Sequence, residues 1–178
     1  EDLPWVKVFK HAFKGPTGKW YIENSLSTIG GKSDCVGNMN SRLWNSGIES
    51  DKDVARGMKR KTEYFSNVLV IKDPANPENE GKVFLYKFGP MIFEMVNAKM
   101  FPDEIDGDAA INPFDAWTGA DFVIKITGKK IGLDLVPNYE KSYFKDPSPI
   151  DSDDDVIESH WQKCHSLAAF VDPKNFKT

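Results

Sequence analysis

Apolar residues cluster in five short runs with the look of strands: WVKVF (Trp5–Phe9), KWYIE (Lys19–Glu23), YFSNVLVIK (Tyr64–Lys72), KVFLYKF (Lys82–Phe88) and DFVIKIT (Asp121–Thr127). Each is rich in Val, Ile, Phe or Tyr and bounded by Gly, Pro or Asn, the composition of pleated, half-buried segments. In the third run, period-two alternation sets Phe65, Leu69 and Ile71 on one face and Tyr64, Val68 and Val70 on the other. The connection DPANPENEG (Asp73–Gly81) holds two prolines and a closing glycine. It cannot extend a strand, so it predicts a long hairpin loop joining the third and fourth runs.

Two stretches carry helical spacing instead. PMIFEMVNAKM (Pro90–Met100) follows Gly89, and proline is well tolerated at a first helical position. In DDVIESHWQKCHSLAAF, Ile157, Trp161, Cys164 and Ala168 repeat at helical intervals, with Ser152 or Asp153 as cap and Asp154, Asp155 and Glu158 matching the helix dipole. The segment between Gly30 and Gly57 is polar and weakly patterned, which predicts a long insertion between strands. The fold class that follows is mainly β, with an insertion and peripheral helices.

The length, 178 residues, suits one domain with a single core, and aromatics at 12% argue against disorder. Two cysteines, Cys35 and Cys164, make no disulfide framework, so a reduced cytosolic setting is the simpler expectation. No signal peptide and no membrane-spanning apolar run is visible. The chain starts at Glu1 in place of Met, as a piece of something longer would.

A net charge of −4 hides strong segregation. Lys52 to Lys72 holds six basic residues against two acids, while Asp146 to Glu158 holds six acids and no base. The acidic cluster could bind a divalent ion, yet acids at a helix start are accounted for by the dipole alone. His160 and Cys164 share a helical face but lack the further ligands of a closed zinc shell, and Cys164 on an apolar stripe reads as core. No phosphate-cradling glycine motif, nucleophile elbow or zinc-protease helix is present, so no catalytic constellation is expected.

The densest cations, Lys59, Arg60 and Lys61, run into Tyr64 and Phe65. Cations and rings interleave again at Tyr86, Lys87 and Phe88; Tyr139 sits in a loop-like PNYEK, and Trp44 in the polar insertion has no obvious core to enter. Single-stranded nucleic acid needs this combination, with cations tracking phosphates and flat rings accepting unstacked bases. A solvated strand entry followed by core residues explains a single such run equally well; repetition favours the functional alternative.

GKWYIE (Gly18–Glu23), KRKT (Lys59–Thr62), VIKDPANPENEGKVF (Val70–Phe84), YKFG (Tyr86–Gly89) and GADFVIKI (Gly119–Ile126) occur in this order in one known family. They resemble the gene 32 single-stranded-DNA-binding family of T-even-type tailed bacteriophages, in the form found in marine cyanobacterial phages. The resemblance implies an OB-fold, a five-stranded partly open barrel, spanning 1–178 with an insertion subdomain at about 24–57. It implies sequence-nonspecific coating of single-stranded DNA in phage replication, recombination and repair, in the cytoplasm of the infected host. It points to Lys59, Arg60 and Lys61 as phosphate contacts, to Tyr64 and Phe65 as base platforms, and to Tyr86, Lys87, Tyr139 and Trp44 as further cleft positions; pairing of the third and fourth runs sets Phe88 near Tyr64 and Phe65 as a further candidate.

The best-known members hold zinc through one histidine and three cysteines, and the matching positions here are His11, Ser25, Cys35 and Asn38. Two thiolates are gone, so no zinc and no other cofactor is expected, with Leu43 and Trp44 as candidates for holding the insertion by packing. The family's basic N-terminal arm and acidic C-terminal tail, through which replication and recombination proteins are recruited, are not in this sequence. A monomeric, non-enzymatic binding core with weak cooperativity is the expectation. An OB-fold adaptor for a protein or RNA partner is the principal alternative, and a magnesium-dependent nuclease built on the acidic cluster is a third.

Overall fold

The computed structural model describes residues 3–30, 32–103 and 109–177. The chain divides into two compact units, one drawn from residues 1–67, 85–87 and 165–178, the other from 68–84 and 88–164.

The first unit is built on β1 (Trp5–Lys14), a strand of ten residues that changes partner along its length. Its first half, Trp5 to Lys10, pairs antiparallel with β3 (Lys61–Leu69), and its second half, Lys10 to Lys14, pairs antiparallel with β2 (Trp20–Asn24). Trp5–Phe9 was therefore only the start of this strand, which runs on through KHAFK. With β4 (Val83–Phe88) the sheet order is β2-β1-β3-β4.

The insertion, which carries little apolar patterning, holds two helices that the sequence analysis did not anticipate: α1 (Cys35–Trp44) and α2 (Glu49–Gly57). Their signals are polar ones. Asp34 caps α1 by accepting from the backbone N–H of Val36 and Gly37. On α2, Glu49 pairs with Lys52 and Asp53 with Arg56 at i,i+3 spacing, acids toward the start and the arginine in the last turn. The helices pack on one another through Ala55, 2% exposed, whose carbonyl accepts from the Asn40 side chain at 2.6 Å. Leu43 is half-buried and Trp44 exposed, so only the former packs as expected.

In the second unit the Asp73–Gly81 loop folds on Asp73, whose carboxylate accepts from Ala75, Asn76 and Asn79. Val70 and the Gly81–Lys82 pair close it with backbone bonds of 2.8 and 3.0 Å, and Gly81 takes φ +75°, as this turn requires. The long hairpin loop expected between the third and fourth runs is thus present. Next comes α3 (Pro90–Met100), with Pro90 at its start and Ile92 and Val96 buried one turn apart.

The fifth predicted strand is largely absent. Only Phe122–Val123 forms a strand (β5), paired with Tyr143–Phe144 (β8). Ser142 then supplies the partner for the Lys125 N–H with its side chain, so the ladder stops there. The chain re-enters β structure as β6 (Thr127–Ile131), which forms a hairpin with β7 (Asp134–Asn138) around Gly132 and Leu133. The last helix, α4 (Asp154–Trp161), is capped by Asp153 and ends well short of Ala168. The apolar stripe beyond Ile157 is not buried: Trp161 is 69% exposed and Cys164 is exposed, so no packing extends the helix and Cys164 is not core. No described helix is long and apolar enough to cross a membrane.

Candidate nucleic-acid interface

The alternation of β3 divides the basic-aromatic stretch. Tyr64 and Phe65 are adjacent in a strand, so they point to opposite faces, as the pairing Lys7↔Tyr64 and Val6↔Phe65 also requires. Tyr64 is 5% exposed and Phe88 is 7% exposed. A ring that stacks a base must offer an open face, and these two are core side chains here. Phe65 is half-buried and stacked on Phe170, with ring centroids 4.2 Å apart and planes 19° from parallel. Its accessible partner is already a protein ring.

On the Tyr64 face the structure assembles cations over Phe9. The Arg60 guanidinium lies 3.7 Å from the Phe9 centroid, and Lys7 Nζ lies 5.0 Å from Phe9 and 5.9 Å from Tyr64. Arg60 also donates to the Ser27 hydroxyl. A guanidinium held over a ring can still offer N–H groups to a phosphate. On the opposite face Lys10 and Lys61 are direct cross-strand partners, like charges placed side by side. Lys87 lies 3.4 Å from Glu63, and Tyr86 beside it is half-buried.

Trp44 and Lys59 come together at an open groove of about 290 Å³ between α1 and α2, lined by Asn40, Trp44, Ala55, Arg56 and Lys59. Trp44 is 49% exposed, and Arg56 Cζ sits 5.6 Å from its ring. Arg56 is braced by Glu49 at 2.9 Å and by Asp53. An exposed flat ring, a lysine and an apolar floor are the parts that an unstacked base and its phosphate require. Tyr139 lies in the second unit, in the turn between β7 and β8, half-buried.

Lys7, Phe9 and Lys10 were missed in the sequence, although KVFKHAFK carries the same interleaving of cations and rings as the stretch that was noticed. Arg56 was counted in the basic stretch but not singled out, and Ser27 stands out neither by residue type nor by local pattern.

The positions matched to a zinc set do not form one. His11 and Ser25 are 2% and 1% exposed, and both bond the carboxylate of Asp34, His11 through Nε2 at 2.6 Å. Burial pushes the Asp34 carboxyl up, but hydrogen bonds from Ser25, His11 and the Gly37 N–H outweigh it and hold it below the usual carboxylate range. Cys35 is exposed, and the Asn38 amide bonds Ser33 at 2.7 Å. A closed tetrahedral shell of soft donors has no counterpart in this arrangement. Among the described residues no group of three or more His, Cys, Asp or Glu side chains could hold a metal ion.

The family model described as "gp32 DNA binding protein like" matches residues 1–178. The single-stranded DNA-binding protein of Enterobacteria phage T2 is 40% identical over 156 residues, covering 87% of this chain and 49% of that protein. The protein of the same name from Enterobacteria phage T4 is 40% identical over 156 residues, covering 87% of this chain and 50% of its own length. The chain therefore spans about half the length of the curated relatives it matches. With its whole length covered by that model, and with exposed cations set against rings, the chain belongs to the gp32-like DNA-binding family.

Proposed function

We propose that this chain binds single-stranded DNA without sequence preference, by electrostatic capture followed by ring stacking. The observation that carries this is the exposed Trp44 ring beside Arg56 and Lys59 in one groove. Duplex DNA hides its base faces, so an exposed ring among cations favours the open strand. Arg60 and Lys7 on one face of the sheet, and Lys10 and Lys61 on the other, add further positive charge within the same unit. The finer fold assignment is an OB-fold, supported by a β1 that serves two neighbours, one with each half. Binding of open strands shifts duplex melting by mass action and needs no catalysis. By kinship with the phage proteins, the role is coating of single strands during replication, recombination and repair in the infected cell's cytoplasm.

The test is a titration of tryptophan fluorescence with oligo-dT and with a matched duplex across salt. Each stacked base contributes about 1–3 kcal/mol, and about four phosphate contacts give a log–log salt slope near −3. Preferential quenching by the single strand with that slope supports the proposal. Trp44→Ala should then weaken oligo-dT binding about tenfold or more. Equal indifference to both nucleic acids, or a Trp44→Ala protein that binds unchanged, would refute it.

A further inference from the structure

We infer that a hydrogen-bonded chain, running from exposed Arg60 through half-buried Ser27 to Ser25, Asp34 and buried His11, fastens the helical insertion to the sheet without a metal and fixes the direction of the Arg60 guanidinium. Its members come from four places: His11 from β1, Ser25 and Ser27 from the segment after β2, Asp34 from the cap of α1, and Arg60 from the residue before β3. No local sequence feature joins them.

Proton accounting gives the chain one direction. An ionised Asp34 can only accept, so His11 carries its proton on Nε2 and Ser25 donates its hydroxyl proton to the same carboxylate. Ser25 has no second proton, so in the 2.8 Å contact between the two serine hydroxyls Ser27 is the donor. Ser27 is then left to accept, and Arg60 donates to it. Every proton is used once, from a cation at one end to a carboxylate at the other. The second oxygen of Asp34 accepts from the N–H groups of Val36 and Gly37, so the same carboxylate starts α1.

The surrounding backbone ties the segment further. Ser25 N–H donates to the Phe9 carbonyl at 2.7 Å, and the Phe9 N–H donates to Thr28 Oγ1 at 2.9 Å. Phe9 is the ring on which Arg60 lies. Arg60 is thus held by the ring beneath it and the Ser27 hydroxyl, both anchored to the same half-buried cluster. Ser27 is a positioning residue: it touches Arg60 and stands behind the binding surface. The metal-free half stands on geometry alone, whereas the Arg60 half rests on the single-strand reading above.

Three measurements test this. Metal analysis of the purified chain should find zinc well below one per chain, with Tm unmoved by EDTA or by equimolar zinc; one zinc per chain or a zinc-raised Tm would overturn the lock. Cys35→Ser should leave Tm unchanged, whereas Asp34→Asn should lower it by roughly 5–10 °C; the reverse ranking would overturn it too. Finally, oligo-dT affinity is compared for Ser27→Ala, Arg60→Ala and the double variant. Ser27→Ala should weaken binding roughly fivefold, and the double variant should bind no worse than Arg60→Ala alone. Additive losses, or no loss from Ser27→Ala, would overturn the positioning half. An Arg60→Ala protein that binds normally would instead sink the single-strand reading at this face, while the Tm and metal results would still decide the lock.

Discussion

The cross-strand pair Lys10 and Lys61 gives a prediction in which stability and binding move in opposite directions. The two are register partners at the end of the β1–β3 ladder, and the acid two residues along the same face, Glu63, is engaged by Lys87 at 3.4 Å. Directly opposed residues have Cβ atoms about 5 Å apart. Two flexible ammonium groups can therefore separate to about 7 Å, where near-water screening leaves a repulsion of about 0.6 kcal/mol. Physiological salt reduces this to about 0.3 kcal/mol. Lys61→Gln keeps the stem and removes the charge, so Tm should rise by about 1 °C. One lost phosphate contact on a single strand lowers the salt slope by about 0.7, which is about fivefold in affinity at 0.1 M salt and about twofold at 0.4 M. Calorimetry and fluorescence titration on the same samples read both effects. Lys87→Gln is the control, because removing a partnered lysine relieves no repulsion and should not raise Tm. A Lys61→Gln protein that loses stability, or keeps its salt slope, would refute the idea that this pair is kept apart for an anion.

Three further outcomes follow from the packing. A Cβ on Gly119 would lie 2.2 Å from the Asp115 carbonyl oxygen and 3.1 Å from two more backbone oxygens, so Gly119→Ala should cost about 3 kcal/mol or more by urea denaturation, and a neutral result would contradict that close approach. Phe65→Ala should cost about 2–3 kcal/mol by removing the stack on Phe170, while oligo-dT affinity measured below the transition stays within about twofold; a large affinity loss in a still-folded protein would make Phe65 the base platform after all. N–H groups of Thr118 and Trp117 hold the Asp115 carboxyl below its ordinary range. A depressed folded value adds stability that is present above the unfolded value and lost as pH falls through the folded one. Asp115→Asn should therefore flatten the acid limb of Tm against pH below about pH 4, and parallel limbs for both proteins would rule that out.

What could be read in the sequence was whatever local chemistry decides. Proline at Pro74 and Pro77 and glycine at Gly81 forced the loop after β3, and Gly89–Pro90 marked the start of α3. The fifth run failed because its apolar residues are not covered: Ile124 and Ile126 are 41% and 65% exposed, so period two there reported no buried face. α1 and α2 are hard to read from sequence because they hold few apolar residues, and charge spacing and a single cap mark them instead. At the site, cations could be placed from sequence but most rings could not. Trp44, in a polar insertion, could be read as uncovered, but whether Tyr64, Phe65 or Phe88 shows a face to solvent depends on what packs over each one. The Arg60-to-His11 chain had no sequence signal at all, since Ser25, Ser27 and Asp34 are ordinary turn residues joined only by the fold.

Arg56, which lines the groove, and Arg60, which lies over Phe9, are held differently, and that difference separates the roles the single-strand proposal gives them. Arg56 lies against Trp44 but is bonded by two carboxylates, Glu49 and Asp53, which cancel its field at the distance of an approaching phosphate. Such an exposed cluster contributes little to stability, yet it fixes the guanidinium beside the indole. Arg56 therefore serves to brace the ring. Arg60 is held by a hydroxyl and by the face of Phe9, neither of which carries a formal charge. Its conformational freedom is reduced before DNA arrives, while its full positive charge stays available. Immobilisation without neutralisation suits a phosphate contact, so the single-strand proposal assigns the anion to Arg60 of the two. Substituting Arg56 should then lower affinity with little change in salt slope, whereas substituting Arg60 should lower both.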